Sequence, residues 1–72
     1  MTIGQKLRTL RMMRGITQEE LSKLTNIPTN YLSMMETGRV IPAGEWDFIL
    51  REALGWTPEM DARLDQIQEI AS

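Results

Sequence analysis

The chain of 72 residues contains no cysteine and no histidine. Without cysteine there is no disulfide staple and no thiolate metal site. Without histidine the usual general base and the usual zinc ligand are missing too. With no plausible nucleophile–base pair, and little room for a pocket in so short a chain, an enzyme is a poor reading and no cofactor is expected. No apolar run approaches the roughly 18 residues that a membrane span needs. No basic-then-apolar leader opens the sequence, so a cytoplasmic location is expected. A domain this small has a marginal core. Unstapled scaffolds of this size gain stability from close helix packing or from oligomerisation, and a dimer is therefore expected.

The formal net charge of −2 hides an asymmetry. Residues 1–40 carry a net +3, from Lys6, Arg8, Arg11, Arg14, Lys23 and Arg39 against Glu19, Glu20 and Glu36. Residues 41–72 carry a net −5. A surface that meets phosphates needs local positive potential rather than a basic whole. Ordinary solvated charge on helix faces would give the same count.

Five helices fit the apolar spacing, with no strand, repeat or low-complexity segment. The first is predicted over Ile3–Arg14, opened by a Thr2/Gln5 capping box, with Ile3, Leu7 and Leu10 on one face. Gly15 stops it. A second capping box, Thr17/Glu20, opens the second helix, whose apolar side is assigned to Leu21 and Leu24. Asn26 is expected to end that helix in the left-handed conformation. The third helix runs from about Pro28 to Thr37. It turns Leu32 and Met35 inward and Thr29, Asn30, Ser33 and Met34 outward. The fourth covers Gly44–Leu54, with Trp46, Ile49, Leu50, Ala53 and Leu54 as its stripe. Thr57 and Pro58 open a fifth helix reaching about Ile70. Two short helices joined by a tight turn over residues 17–37 have the sequence shape of a helix-turn-helix.

The residues resemble the phage repressor and Cro-type (Xre-like) helix-turn-helix family. The resemblance is carried by Gly4, Leu7 and Arg11, then Gly15-Ile16-Thr17-Gln18-Glu19-Glu20-Leu21. It continues through Leu32-Ser33, Glu36-Thr37-Gly38, Pro42 and Ala53-Leu54-Gly55, and covers about residues 3 to 60. Ser22 stands where alanine is usual, and Asn26 where glycine is frequent. Pro28 replaces serine or threonine, and Arg51 a frequent alanine. The resemblance implies an all-α, five-helix, lambda-repressor-like DNA-binding domain over residues 1–72, with the third helix as recognition helix.

The resemblance also assigns candidate roles. Asn30 would bond adenine bidentately, or would cap the helix start. Thr29 and Ser33 would meet a base or a phosphate, or serve solubility and capping. Met34 would pack on a thymine methyl group, lie at a partner interface, or have no role. Tyr31 would reach phosphate through its hydroxyl, or cover the turn with its ring. Thr17 and Gln18 lie at a helix start that suits an anion, and Gln18 would also buttress the recognition helix. Thr37 and Arg39 resemble a second phosphate clamp. Lys6, Arg8, Arg14 and Lys23 would set the general field. Arg11 and Glu36 would form a partly buried structural ion pair, with Arg11 also in reach of phosphate.

One recognition helix reads few bases, so relatives bind palindromic DNA as two-fold dimers. Met60, Leu64 and Ile67, with Ile70, make the fifth helix a candidate dimer face, unless it folds back on its own core. Phe48 and Trp56 are further interface candidates. The acidic Glu59, Asp61, Asp65 and Glu69 are expected to lie away from DNA. The leading expectation is a sequence-specific transcription regulator of repressor, Cro or restriction-modification-controller type, binding double-stranded DNA as a homodimer. The competing one is an antitoxin or adaptor that uses this fold mainly to bind a protein partner.

Overall fold

The computed structural model describes residues 1–71, with side-chain surroundings as far as Ile67. Five helices follow one another: α1 (Ile3–Met13), α2 (Gln18–Thr25), α3 (Thr29–Glu36), α4 (Gly44–Leu54) and α5 (Pro58–Ala71). All five helices that the family resemblance implies are present. Among the described residues no helix is long and apolar enough to cross a membrane.

Local chemistry sets the helix ends. At α1, Gln5 N donates to Thr2 Oγ1 at 3.1 Å while Thr2 N donates to Gln5 Oε1 at 2.9 Å. The same reciprocal box joins Thr17 and Glu20 at α2, both bonds 3.1 Å. Each box satisfies two amides that have no partner within the helix. Asn26 closes α2 with φ +60°, and its amide donates to Ser22 O at 2.7 Å. An asparagine tolerates this left-handed geometry where most side chains would not.

Leu7, Leu10, Leu21, Ile27, Leu32, Met35, Leu50, Leu54 and Trp56 form the core, with Ile16, Val40, Trp46 and Met60 packed against it. Gly4 lets α1 approach α3. A Cβ there would sit 2.4 Å from Met35 O and 2.9 Å from Glu36 O.

Three assignments to apolar faces change, and one of them is Ala53, which is exposed on α4. Ile3 is 42% exposed and Leu24 65% exposed. On α2 the second buried residue is Thr25, one full turn after Leu21. Its hydroxyl donates to Leu21 O at 2.7 Å and accepts from Ile27 N at 3.3 Å. Those bonds allow a polar side chain to be buried at little cost, and the tight turn into α3 benefits.

The dimer assignment for α5 changes more. Leu64 is fully buried within the monomer, Trp56 is 3% exposed, and Met60 packs against the core. A buried side chain cannot also line a contact with a second copy, so Leu64 and Trp56 serve the monomer, while Met60 is half-buried against the core and keeps a partly open side. Phe48 and Ile67 remain exposed, at 65% and 46%. The side chains of Glu69 and Ile70 lie outside the described residues.

A polar clamp completes the docking of α5. Lys6 Nζ donates to Asp61 Oδ2 at 3.0 Å and lies 3.1 Å from Asp65 Oδ1. Trp56 Nε1 donates to Asp61 Oδ1 at 3.0 Å. Burial works against the Lys6 charge, but bonds to the two carboxylates outweigh it and hold the ammonium above its ordinary pKa. The bond from Lys6, then that from Trp56, holds the Asp61 carboxyl below the usual range. Arg51, the departure from the family pattern on α4, lies 4.4 Å above the Trp56 ring and bonds Asp47 one turn earlier.

Candidate nucleic-acid interface

The turn at Asn26–Pro28 launches α3 across the front of the domain. Its period puts Leu32 and Met35 fully in the core. Thr29, Asn30, Tyr31 and Ser33 are exposed, and Met34 is half-buried. Asn30, Ser33 and Thr37 therefore follow one another at helical spacing along the open side. The α3 N-cap position is Pro28, and no side chain caps this end. Asn30 thus does not cap the helix start, and its amide is left available on the surface.

Glu36 ties this helix to the other two. Its side chain is 4% exposed. It accepts from Arg11 Nε at 2.7 Å, from Arg11 Nη2 at 3.1 Å and from Gln18 Nε2 at 3.2 Å. Arg11 Nη1 donates to Ile16 O at 2.8 Å. The bond to Glu36, opposed by burial, raises the Arg11 pKa above its already high value. One carboxylate thereby fixes the C-terminal end of α3 against α1 and against the first turn of α2. Gln18 is held beside the α2 N-terminus, where backbone N–H groups favour an anion.

At the far end of α3, the Thr37 hydroxyl donates to Ser33 O at 2.9 Å. Thr37 is exposed, as is Arg39 two residues on. Thr17 is exposed at the opposite edge, with its hydroxyl engaged in the capping box. Tyr31 lies against Trp46 of α4 in a T-shaped pair, ring centroids 5.2 Å apart and planes at 63°. The ring thus covers the junction with α4 while 39% of the residue stays exposed.

The electrostatic field is narrower than the charge count implies. Lys6 is neutralised inside the clamp with Asp61 and Asp65. Arg14 donates through Nε to Leu54 O at 2.9 Å, closing the end of α4. Lys6 therefore does not belong to a free basic surface, whereas Arg14 is tethered but exposed and keeps its charge there. Arg8, Lys23 and Arg39 are exposed and form no ion pair among the described residues. Lys6 could have been read as inward-facing, because it lies one turn before Leu10 on α1. Arg14 carried no comparable signal, since its partner is a backbone oxygen forty residues away. Among the described residues, no cluster of potential metal ligands occurs.

A family model described as helix-turn-helix matches residues 7–45, which is more than half of the chain. Searches of curated proteins and of solved structures found no match. The matched segment runs from the α1 core residues through both helices of the motif and into the start of α4, and contains the whole Arg11–Glu36–Gln18 junction. The chain belongs to the phage repressor and Cro-type (Xre-like) family of DNA-binding helix-turn-helix domains.

Proposed function

We propose that the protein is a sequence-specific transcription regulator that acts in the cytoplasm and binds an inverted-repeat operator as a homodimer. The observation that carries this reading is the exposed polar row on α3, held rigid from behind by Glu36. Base readout needs side chains on the groove face and a helix that does not move under them. Asn30 reads adenine through a bidentate amide pair, with Thr29 and Ser33 beside it. Met34 contributes an apolar contact to a thymine methyl group. Thr17, Gln18 and the α2 amides hold one phosphate strand. Thr37 and Arg39 hold the other. Phe48 and Ile67, both exposed and apolar, are the leading candidates for the contact between copies, with the half-buried Met60 beside them.

The test is selection of bound duplexes from a random library at ~150 mM salt, where purely electrostatic binding is weak. An enriched inverted repeat with half-sites about ten base pairs apart is expected. Folded protein that enriches nothing would overturn the reading in favour of a protein-binding adaptor. Sedimentation of Phe48→Glu and Ile67→Asp examines the dimer separately. At least one of them should shift the protein to monomer without lowering its melting temperature.

A further inference from the structure

Trp46 lies outside the helix-turn-helix, yet it touches the first turn of the helix that reads DNA. We propose that Trp46 is a positioning residue for recognition: it fixes the Tyr31 ring so that the phenol hydroxyl donates to a backbone phosphate at the groove edge. The inference rests on α3 being the recognition helix.

Tyr31 follows Asn30 directly, so its side chain leaves α3 about 100° around the helix from the Asn30 amide. It is carried toward α4, on the flank of α3 rather than on its groove-facing front. A helix lying in the major groove has base edges before it and phosphates along its flanks. A hydroxyl on the flank therefore meets phosphate. No group among the described residues hydrogen-bonds the Tyr31 hydroxyl, although the ring is in T-shaped contact with Trp46. A tyrosine that is 39% exposed on a first helical turn would otherwise sample several rotamers. Trp46 is itself half-buried and packed on the core. Its helix is closed by the Arg14 bond to Leu54 O. Rigidity thus passes from the core through the indole to the phenol, and the hydroxyl is ordered before DNA arrives. Pre-ordering removes a cost that binding would otherwise carry.

The experiment is a double-mutant cycle on the operator recovered from the library. Tyr31→Phe should weaken binding roughly tenfold, as loss of a hydrogen bond to a charged group does. The slope of affinity against salt should not change, because no cation is lost. Trp46→Leu should cost a similar factor in the wild-type background and little once Tyr31→Phe is present. Trp46→Phe, which keeps an aromatic face, should recover most of the loss, and its melting temperature reports that the fold survives. In duplexes carrying single methylphosphonates, one position should weaken the wild-type protein and leave both Tyr31→Phe and Trp46→Leu unaffected. A Trp46→Leu loss of equal size with and without the Tyr31 hydroxyl would overturn the proposal and make Trp46 a purely structural residue. Failure of the wild-type protein to select any duplex would instead remove the recognition-helix reading on which the proposal stands.

Discussion

Replacing Glu36 by glutamine tests whether the junction of α1, α2 and α3 depends on charge or only on shape. The two side chains are nearly identical in volume, so packing is preserved. The hydrogen-bond geometry is not. Oε2 accepts from Arg11 Nε, and Oε1 accepts from both Arg11 Nη2 and Gln18 Nε2. Whichever way the new amide turns, its NH2 group faces an N–H donor. The guanidinium, whose side chain is only 12% exposed, is left without its counter-charge. Breaking a buried pair in this way costs about 3–5 kcal/mol. Arg11 retains its bond to Ile16 O, so the lower end, about 3 kcal/mol, is expected. A chain of this length has a total stability of roughly 4–11 kcal/mol. The melting temperature should therefore fall by roughly 12–24 °C. Urea denaturation followed by circular dichroism gives the free energy directly, with an unchanged slope against urea. The double variant Arg11→Met with Glu36→Leu removes both charges and should be more stable than Glu36→Gln alone. A Glu36→Gln protein within about 0.5 kcal/mol of wild type, the spread of ordinary surface changes, would refute the reasoning and show the pair to be screened by water.

The helices and their caps were legible in the sequence because they depend on short-range chemistry. The Thr2/Gln5 and Thr17/Glu20 boxes, the left-handed Asn26 and the inward Leu32 and Met35 all follow from spacings of three or four residues. The Arg11–Glu36 junction is a long-range contact, and only the family resemblance pointed to it. Which of its two open readings α5 follows was not legible in the sequence, for a physical reason. Met60, Leu64 and Ile67 form an apolar stripe, and periodicity alone cannot say whether a stripe meets its own core or a second copy. The deciding information lay elsewhere, in Lys6 on the inner side of α1 and in Asp61 and Asp65 one turn apart on α5. These make complementary faces only once the two helices are brought together. Apolarity points to Leu24 as the second inward residue of α2, but position on the helix decides otherwise. Thr25, one turn after Leu21, can be buried because its hydroxyl finds two backbone partners.

Three further substitutions probe the same framework. Gly4→Ala places a methyl group against Met35 O and Glu36 O, and should cost about 1–3 kcal/mol as α1 is pushed from α3; an unchanged urea midpoint would show the contact to be looser than drawn. Leu64→Ala should cost about 2–5 kcal/mol through the cavity it leaves, at any protein concentration; a loss appearing only in the dilution-dependent dimer would return Leu64 to an interface. The third is Asp61→Asn, read against pH. The Asp61 carboxyl is held below its usual value by Lys6 and then by Trp56. Its contribution is therefore present above the unfolded pKa of about 3.9 and is lost as pH falls through the lower folded value. The Lys6 ammonium is held above its ordinary value despite burial. Its contribution is present below the unfolded pKa of about 10.4 and is lost as pH rises through the raised folded value. Asp65, the Met1 amino group 3.8 Å from it, and the nearby Arg51 are the other charges facing this site. Wild-type stability should thus form a plateau between about pH 4 and pH 10, with both edges set partly by one clamp. Asp61→Asn should lower that plateau and flatten its acid edge, because the group that titrates there is gone. It should also bring the alkaline edge closer to neutrality, because Lys6 keeps only the half-exposed Asp65. An acid edge that is identical in Asp61→Asn and wild type would mean that other carboxylates govern acid unfolding. The clamp would then hold α5 by shape, through Leu64 and Met60, and not by charge.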